Sequence, residues 1–190
     1  MIFELGDLLR KSGRLVFNLD QLSILSGIPR QQVKVYASRL VKKGIARRVR
    51  RGWLSLTEDP FILAAQLVEP SYISFLPSLY LLGLVDEVPT IAECVTTRAP
   101  WKSRELGVVY RKVRTELFFG YRYLRRQESY VWVATPEKAI LDMVYFNMLP
   151  PKLGFDLDWR RMEEMCGMYK KVGGYRARRV IEWVKHAGRE

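Results

Sequence analysis

Gly27, Pro29 and Gly44 cut the first sixty residues into pieces too short for anything but a compact motif of small elements. Ahead of Gly27, Asn18 and Gln21 have the three-residue spacing of a capping box. In that arrangement each side chain satisfies a backbone N–H that the first helical turn leaves open. The spacing predicts a helix over 19–25, with Leu22 and Leu25 inward and Gly27 as its stop. Pro29 suits the first turn of the next helix, where a missing N–H costs nothing. That helix is expected from Pro29 to Lys43, ending at Gly44, with Val33, Tyr36, Ala37, Leu40 and Val41 along its inner face. Upstream, Leu5, Leu8 and Leu9 mark the buried stripe of a short first helix, and Leu15-Val16-Phe17 reads as a short strand. Downstream, Ile45 to Val49 reads as a strand, Arg50-Arg51-Gly52 as a turn and Trp53 to Leu56 as the return strand.

Two helices joined by a tight glycine-containing turn make a helix-turn-helix, and the hairpin behind them makes a wing. A winged helix-turn-helix is therefore expected over residues 1–57. The charge falls in the same place. The chain carries a formal net charge of +12, yet residues 1–57 hold 12 basic and 3 acidic side chains and residues 58–190 hold 20 and 17. From Arg30 to Arg51 there are nine Lys or Arg and no acid. A local field of one sign draws a polyanion by releasing its counterions.

In this motif the N-terminal part of the second helix enters the major groove. Its outward positions here are Arg30, Gln31, Gln32, Lys34, Val35, Ser38 and Arg39. Arginine suits guanine edges, glutamine suits adenine edges, and Val35 suits a thymine methyl. Lys42 and Lys43, further along, are expected on phosphates. Arg47, Arg48, Arg50 and Arg51 on the wing are expected on the backbone or in a minor groove. Trp53 is expected to pack the root of the wing and Tyr36 to join the core. The expected partner is double-stranded DNA, bound by a homodimer or by cooperative monomers.

Residues 58–190 read as an α+β domain. Asp59-Pro60 caps a helix over 61–67. The stretch 70–85 reads as a buried helix ending at Gly83. Ile91 to Thr97, Val108 to Val113 and Tyr130 to Ala134 read as strands, with a fourth candidate over 117–124. Thr135-Pro136 opens a helix through Ala139, Ile140, Met143 and Val144. Asp158 caps another carrying Trp159, Met162, Met165, Cys166 and Tyr169, and a basic helix from Tyr175 to Lys185 follows.

Several function classes are poorly supplied. The uncharged run Pro70 to Val85 has 16 residues and two prolines, short of a membrane span. Glu4 and Asp7 stand where a signal peptide would be basic and then apolar. With two distant cysteines, Cys94 and Cys166, these features suggest a soluble cytoplasmic protein. One histidine, His186, leaves little for a zinc site or a His-based triad. No phosphate-binding loop or nucleophile elbow is present, and neither enzyme activity nor a cofactor is expected. Gly173-Gly174 reads as a plain turn rather than a phosphate cradle. Glu137, Lys138 and Asp142 read as a cap-region acid and a helical ion pair rather than an acid–base pair. Two rival readings remain. One is a protein- or ligand-sensing module with the winged helix as its output. The other is a DNA-processing nuclease drawing on Asp86, Glu87, Asp142, Asp156 and Asp158.

Four segments carry a family resemblance: SRLVKKGIARRVRRGWLSL, EPSYISFLPSLYLLGLVDEVP, ELFFGYRYL and ATPEKAILDMVYF. Over about residues 15–147 the chain resembles the AbiEi antitoxin family, transcriptional regulators of type IV toxin–antitoxin systems in abortive-infection defence. The resemblance implies an N-terminal winged helix that binds operator DNA and represses its own operon. DNA contacts would then fall on the helix from Pro29 to Lys43 and on the wing from Arg47 to Arg51. It also implies a C-terminal domain that neutralises a nucleotidyltransferase-like toxin without needing to bind it directly.

Overall fold

Helices end at the expected punctuation, and the first three pack as a unit with a small sheet. The computed structural model describes residues 2–152 and 154–187. Met1 and Gly188 to Glu190, the outer ends of the two expected domains, lie outside the described residues. The N-terminal unit runs α1 (Ile2–Lys11), β1 (Val16–Asn18), α2 (Leu19–Ser26), α3 (Arg30–Lys42), β2 (Arg47–Arg50) and β3 (Trp53–Ser55). The capping box forms in both directions: Gln21 N donates to Asn18 Oδ1 at 2.8 Å and Asn18 N donates to Gln21 Oε1 at 2.9 Å. Gly27 closes α2 in the left-handed region, φ 67°. The strands form an antiparallel sheet in the order β1-β3-β2.

Four local expectations need correction. Pro29 is the N-cap of α3 rather than its first residue, and its carbonyl accepts from Gln32 N and Val33 N. Leu8 and Leu25 face solvent, 48% and 40% exposed, because Leu5, Leu9 and Leu22 already fill the contact between the two short helices. The hairpin strand starts at Arg47, not Ile45, because Ile45 N and Ala46 N donate to Leu40 O and finish the end of α3. Arg50 belongs to that strand, so only Arg51 and Gly52 make the turn.

The rest of the chain is α+β. It runs α4 (Pro60–Leu67), β4 (Ser71–Ile73), α5 (Phe75–Leu81), β5 (Ala92–Thr96), β6 (Trp101–Ser103) and β7 (Val108–Lys112). A 3-10 turn at Thr115–Leu117 leads to β8 (Tyr121–Arg126), β9 (Ser129–Ala134), α6 (Pro136–Tyr145), α7 (Trp159–Val172) and α8 (Gly174–Ala187). Asp59, Thr135 and Asp158 cap α4, α6 and α7 through their side chains, as their sequence positions suggest. The stretch 70–85 is not one helix: its first part is β4, and only Phe75–Leu81 is helical. The fourth strand candidate is displaced, with its start taken up by the 3-10 turn and β8 beginning at Tyr121.

The second sheet has the order β6-β7-β5-β4-β9-β8 and is mixed, with parallel pairs β5·β7 and β4·β9. Side chains alternate across it. Ile73, Cys94, Tyr110, Val131 and Val133 meet α4 and the N-terminal unit, while Tyr72, Val95 and Ala134 meet the cluster built by α5, α6, α7 and α8. The core runs across the expected division at residue 57: Leu15, Leu54 and Leu56 share one apolar cluster with Phe61, Ile62 and Ile73. Gln66 of α4 pins the joint. Its Oε1 accepts from Leu15 N and Val16 N at 2.8 and 3.0 Å, and its Nε2 donates to Ser129 Oγ at 2.7 Å. Ser129 Oγ donates in turn to Gly13 O.

Candidate nucleic-acid interface

Helix α3 buries Val33, Ala37 and Leu40 and presents the opposite side to solvent. Gln31, Lys34, Val35, Ser38, Arg39 and Lys42 fall at i, i+3, i+4, i+7, i+8 and i+11, so they form one exposed stripe. Arg30, Gln32 and Lys43 flank it and are also exposed. Val35 keeps 51% of its surface open amid the cations. Arg39 and Lys42 occupy the last turn, where the helix dipole favours positive charge. The two acids at the margins are occupied: Asp20 pairs with Arg30 and Glu58 with Arg47.

The hairpin divides its four arginines. Arg48 Nη2 donates to Ser38 Oγ at 2.9 Å, which ties β2 to the exposed side of α3. Lys34, Ser38, Arg48, Arg51 and Gly52 line one concavity of about 380 Å³ between helix and turn. Arg47 turns away, half-buried, to Glu58 Oε1 at 3.1 Å. Arg50 also turns away, its guanidinium 5.0 Å from the centre of the Trp101 indole on β6. The structure thus brings Arg48 and Arg51 to α3 and directs Arg47 and Arg50 toward the second half of the chain.

Trp53 is partly buried against the cluster of Val16, Leu63 and Leu67, and Tyr36 is partly buried against the main core, as expected for both. Arg39 lies over the Tyr36 ring at 5.4 Å. Gly173 and Gly174, both at positive φ, join α7 to α8, and Gly173 N donates to Tyr169 O. Asp142, one of the acids a nuclease would require, is enclosed: it pairs with Lys138 and accepts from Tyr72 and Ser74. Among the described residues no three His, Cys, Asp or Glu side chains are grouped to hold a metal ion.

Sequence reasoning missed Trp101. It lies in a three-residue strand between prolyl and polar neighbours, with no periodicity, and its contact with Arg50 spans 51 positions of chain. No helix among the described residues is long and apolar enough to cross a membrane. Neither a family model nor a curated protein matches this chain.

Proposed function

We propose that the N-terminal unit is a winged helix-turn-helix that binds duplex DNA, and that the chain is a sequence-specific transcriptional regulator acting on its own operon. The observation that carries this reading is the placement of the acid-free basic segment. Its cations and glutamines line one exposed stripe of α3, and Arg48 and Arg51 of the adjoining hairpin extend the same surface. A helix with this stripe offers guanidinium and amide groups to base edges, with lysines further along for phosphates. Val35 supplies an apolar contact of the kind a thymine methyl accepts.

The four segments of the AbiEi resemblance favour an antitoxin-like repressor of the type IV kind. In that reading the second half of the chain opposes a nucleotidyltransferase-like toxin, directly or through its target. Two readouts separate the parts of the proposal. Binding to the DNA upstream of the protein's own gene is compared with a scrambled duplex while salt is raised. The expected result is preference for the upstream DNA, with log affinity falling about 0.9 per phosphate contact per decade of salt. Equal affinity for both duplexes, or no binding at low salt, overturns the regulator reading. Rescue of growth on co-expression with the neighbouring toxin tests the antitoxin reading alone.

A further inference from the structure

The six-stranded sheet ends at β6, whose Trp101 packs toward Leu63 and Leu67 of α4. There the sheet leaves an open cleft of about 660 Å³, within the range of small-molecule sites. Lys102, Arg111, Lys112 and Arg176 supply charge to its lining and Phe146 supplies an aromatic ring, while the indole of Trp101, also at its rim, is turned to Arg50 and Tyr110. Among the described residues no acid lines it. Glu93 on β5 accepts from Arg111 Nη2 at 2.7 Å. Lys102, Lys112 and Arg176 form no ion pair among the described residues and are exposed.

The arrangement is more specific than a basic surface. Arg111 is fixed by Glu93 on one side and by the rings of Phe75 and Phe146 on the other, at 5.5 and 5.7 Å. Arg176 comes to Phe146 from α8, its guanidinium 5.6 Å from the ring centre. Two cations therefore frame one half-buried aromatic ring. Arg176 also stands in the first turn of α8, which contains no acid. A cation there opposes the positive end of the helix dipole, and a bound anion relieves that opposition.

From this geometry we infer that the cleft binds a nucleoside polyphosphate. Lys102, Lys112 and Arg176 answer the phosphates. The Phe146 ring and the Arg111 guanidinium beside it take the base by stacking. The inference is independent of the DNA reading, since the cleft lies on the second sheet and its ligand is measured without DNA.

Calorimetry of the full chain at about 0.15 M salt provides the test, with ATP, GTP, inorganic triphosphate and adenosine as probes. A nucleoside triphosphate is expected to bind at least about tenfold more tightly than inorganic triphosphate, and adenosine not to bind. Lys102→Glu and Arg176→Glu, both at exposed positions, are expected to lower that affinity at least about tenfold without lowering the melting temperature. Arg39→Glu on α3 is expected to leave it intact. Equal binding of ATP and inorganic triphosphate reduces the cleft to an anion site and overturns the nucleoside assignment. Nucleotide binding that is absent, or indifferent to the two cleft variants, overturns the site itself. Loss of duplex binding but not of ATP binding in those variants assigns the cleft to DNA instead.

Discussion

Lys138 has no exposed surface, and neither its aliphatic stem nor its ammonium reaches water. The ammonium meets Asp142, lies 3.3 Å from Tyr169 Oη, and is surrounded by the rings of Tyr72, Phe119 and Tyr169. Asp142 Oδ2 also accepts from Tyr72 Oη and Ser74 Oγ at 3.0 and 2.8 Å. Removing one partner strands the other charge in an apolar setting. Asp142→Ala is therefore expected to cost about 3–5 kcal/mol in urea denaturation, and replacing both with Met and Leu much less. The i,i+4 pair was legible in the sequence, but its burial was not. Its surroundings come from Tyr72, Ser74, Phe119 and Tyr169, all distant in the chain, which no local pattern encodes. The same limit separates the hairpin arginines, which look equivalent in sequence. Arg48→Glu and Arg51→Glu are expected to weaken DNA binding more than Arg47→Glu or Arg50→Glu. Salt titration is expected to show slopes shallower by about 0.9 for each phosphate the variant no longer holds. Equal weakening at all four would contradict the division at α3.

At the scale of elements, the capped helices were the readable part. Asn18, Asp59, Thr135 and Asp158 each accept a backbone N–H at the start of the helix they announce. Asn18→Ala is expected to cost about 1 kcal/mol, read as a fall in the thermal midpoint, because it removes the side-chain oxygen that accepts from Gln21 N. An unchanged midpoint would mean that tertiary packing alone holds α2. Strands inside apolar stretches were not readable. Ser71, Tyr72 and Ile73 of β4 are all buried, so the alternation that marks a half-exposed strand is missing. A central strand covered on both faces has the same composition as a buried helix, and the choice was made by pairing with β5 and β9. The exposed stripe of α3 was legible because the helix has solvent on one side only, which preserves the period. β6 was too short to leave any pattern.

Across the whole molecule, two cores cover the two faces of one sheet, and three tyrosines are locked into them. Burial holds the phenols of Tyr72, Tyr110 and Tyr169 well above their ordinary value of 10.0. Above that pH the unfolded chain has released three protons that the folded chain keeps, so stability falls as pH rises. Each tyrosine contributes about 1.4 kcal/mol per pH unit to that fall. Lys138 acts in the opposite direction, since burial lowers its pKa, but its contribution stops growing at 10.5, where the unfolded lysine also loses its proton. A cooperative loss of circular dichroism, together with a jump in phenolate absorbance, is expected above that point. Gradual ionisation with the fold intact would contradict it. Gln66 has a different consequence. It holds β1 to α4 and, through Ser129, to β9, and so ties the small sheet beside α3 to the second half of the chain. The bearing of α3, the helix proposed to read DNA, is then a property of the sheet. Two copies sharing an operator would meet its half-sites at one separation and one rotational phase. An insertion of about five base pairs, half a helical turn, would turn the second half-site to the far side of the duplex and abolish cooperativity between copies while leaving each single site occupied.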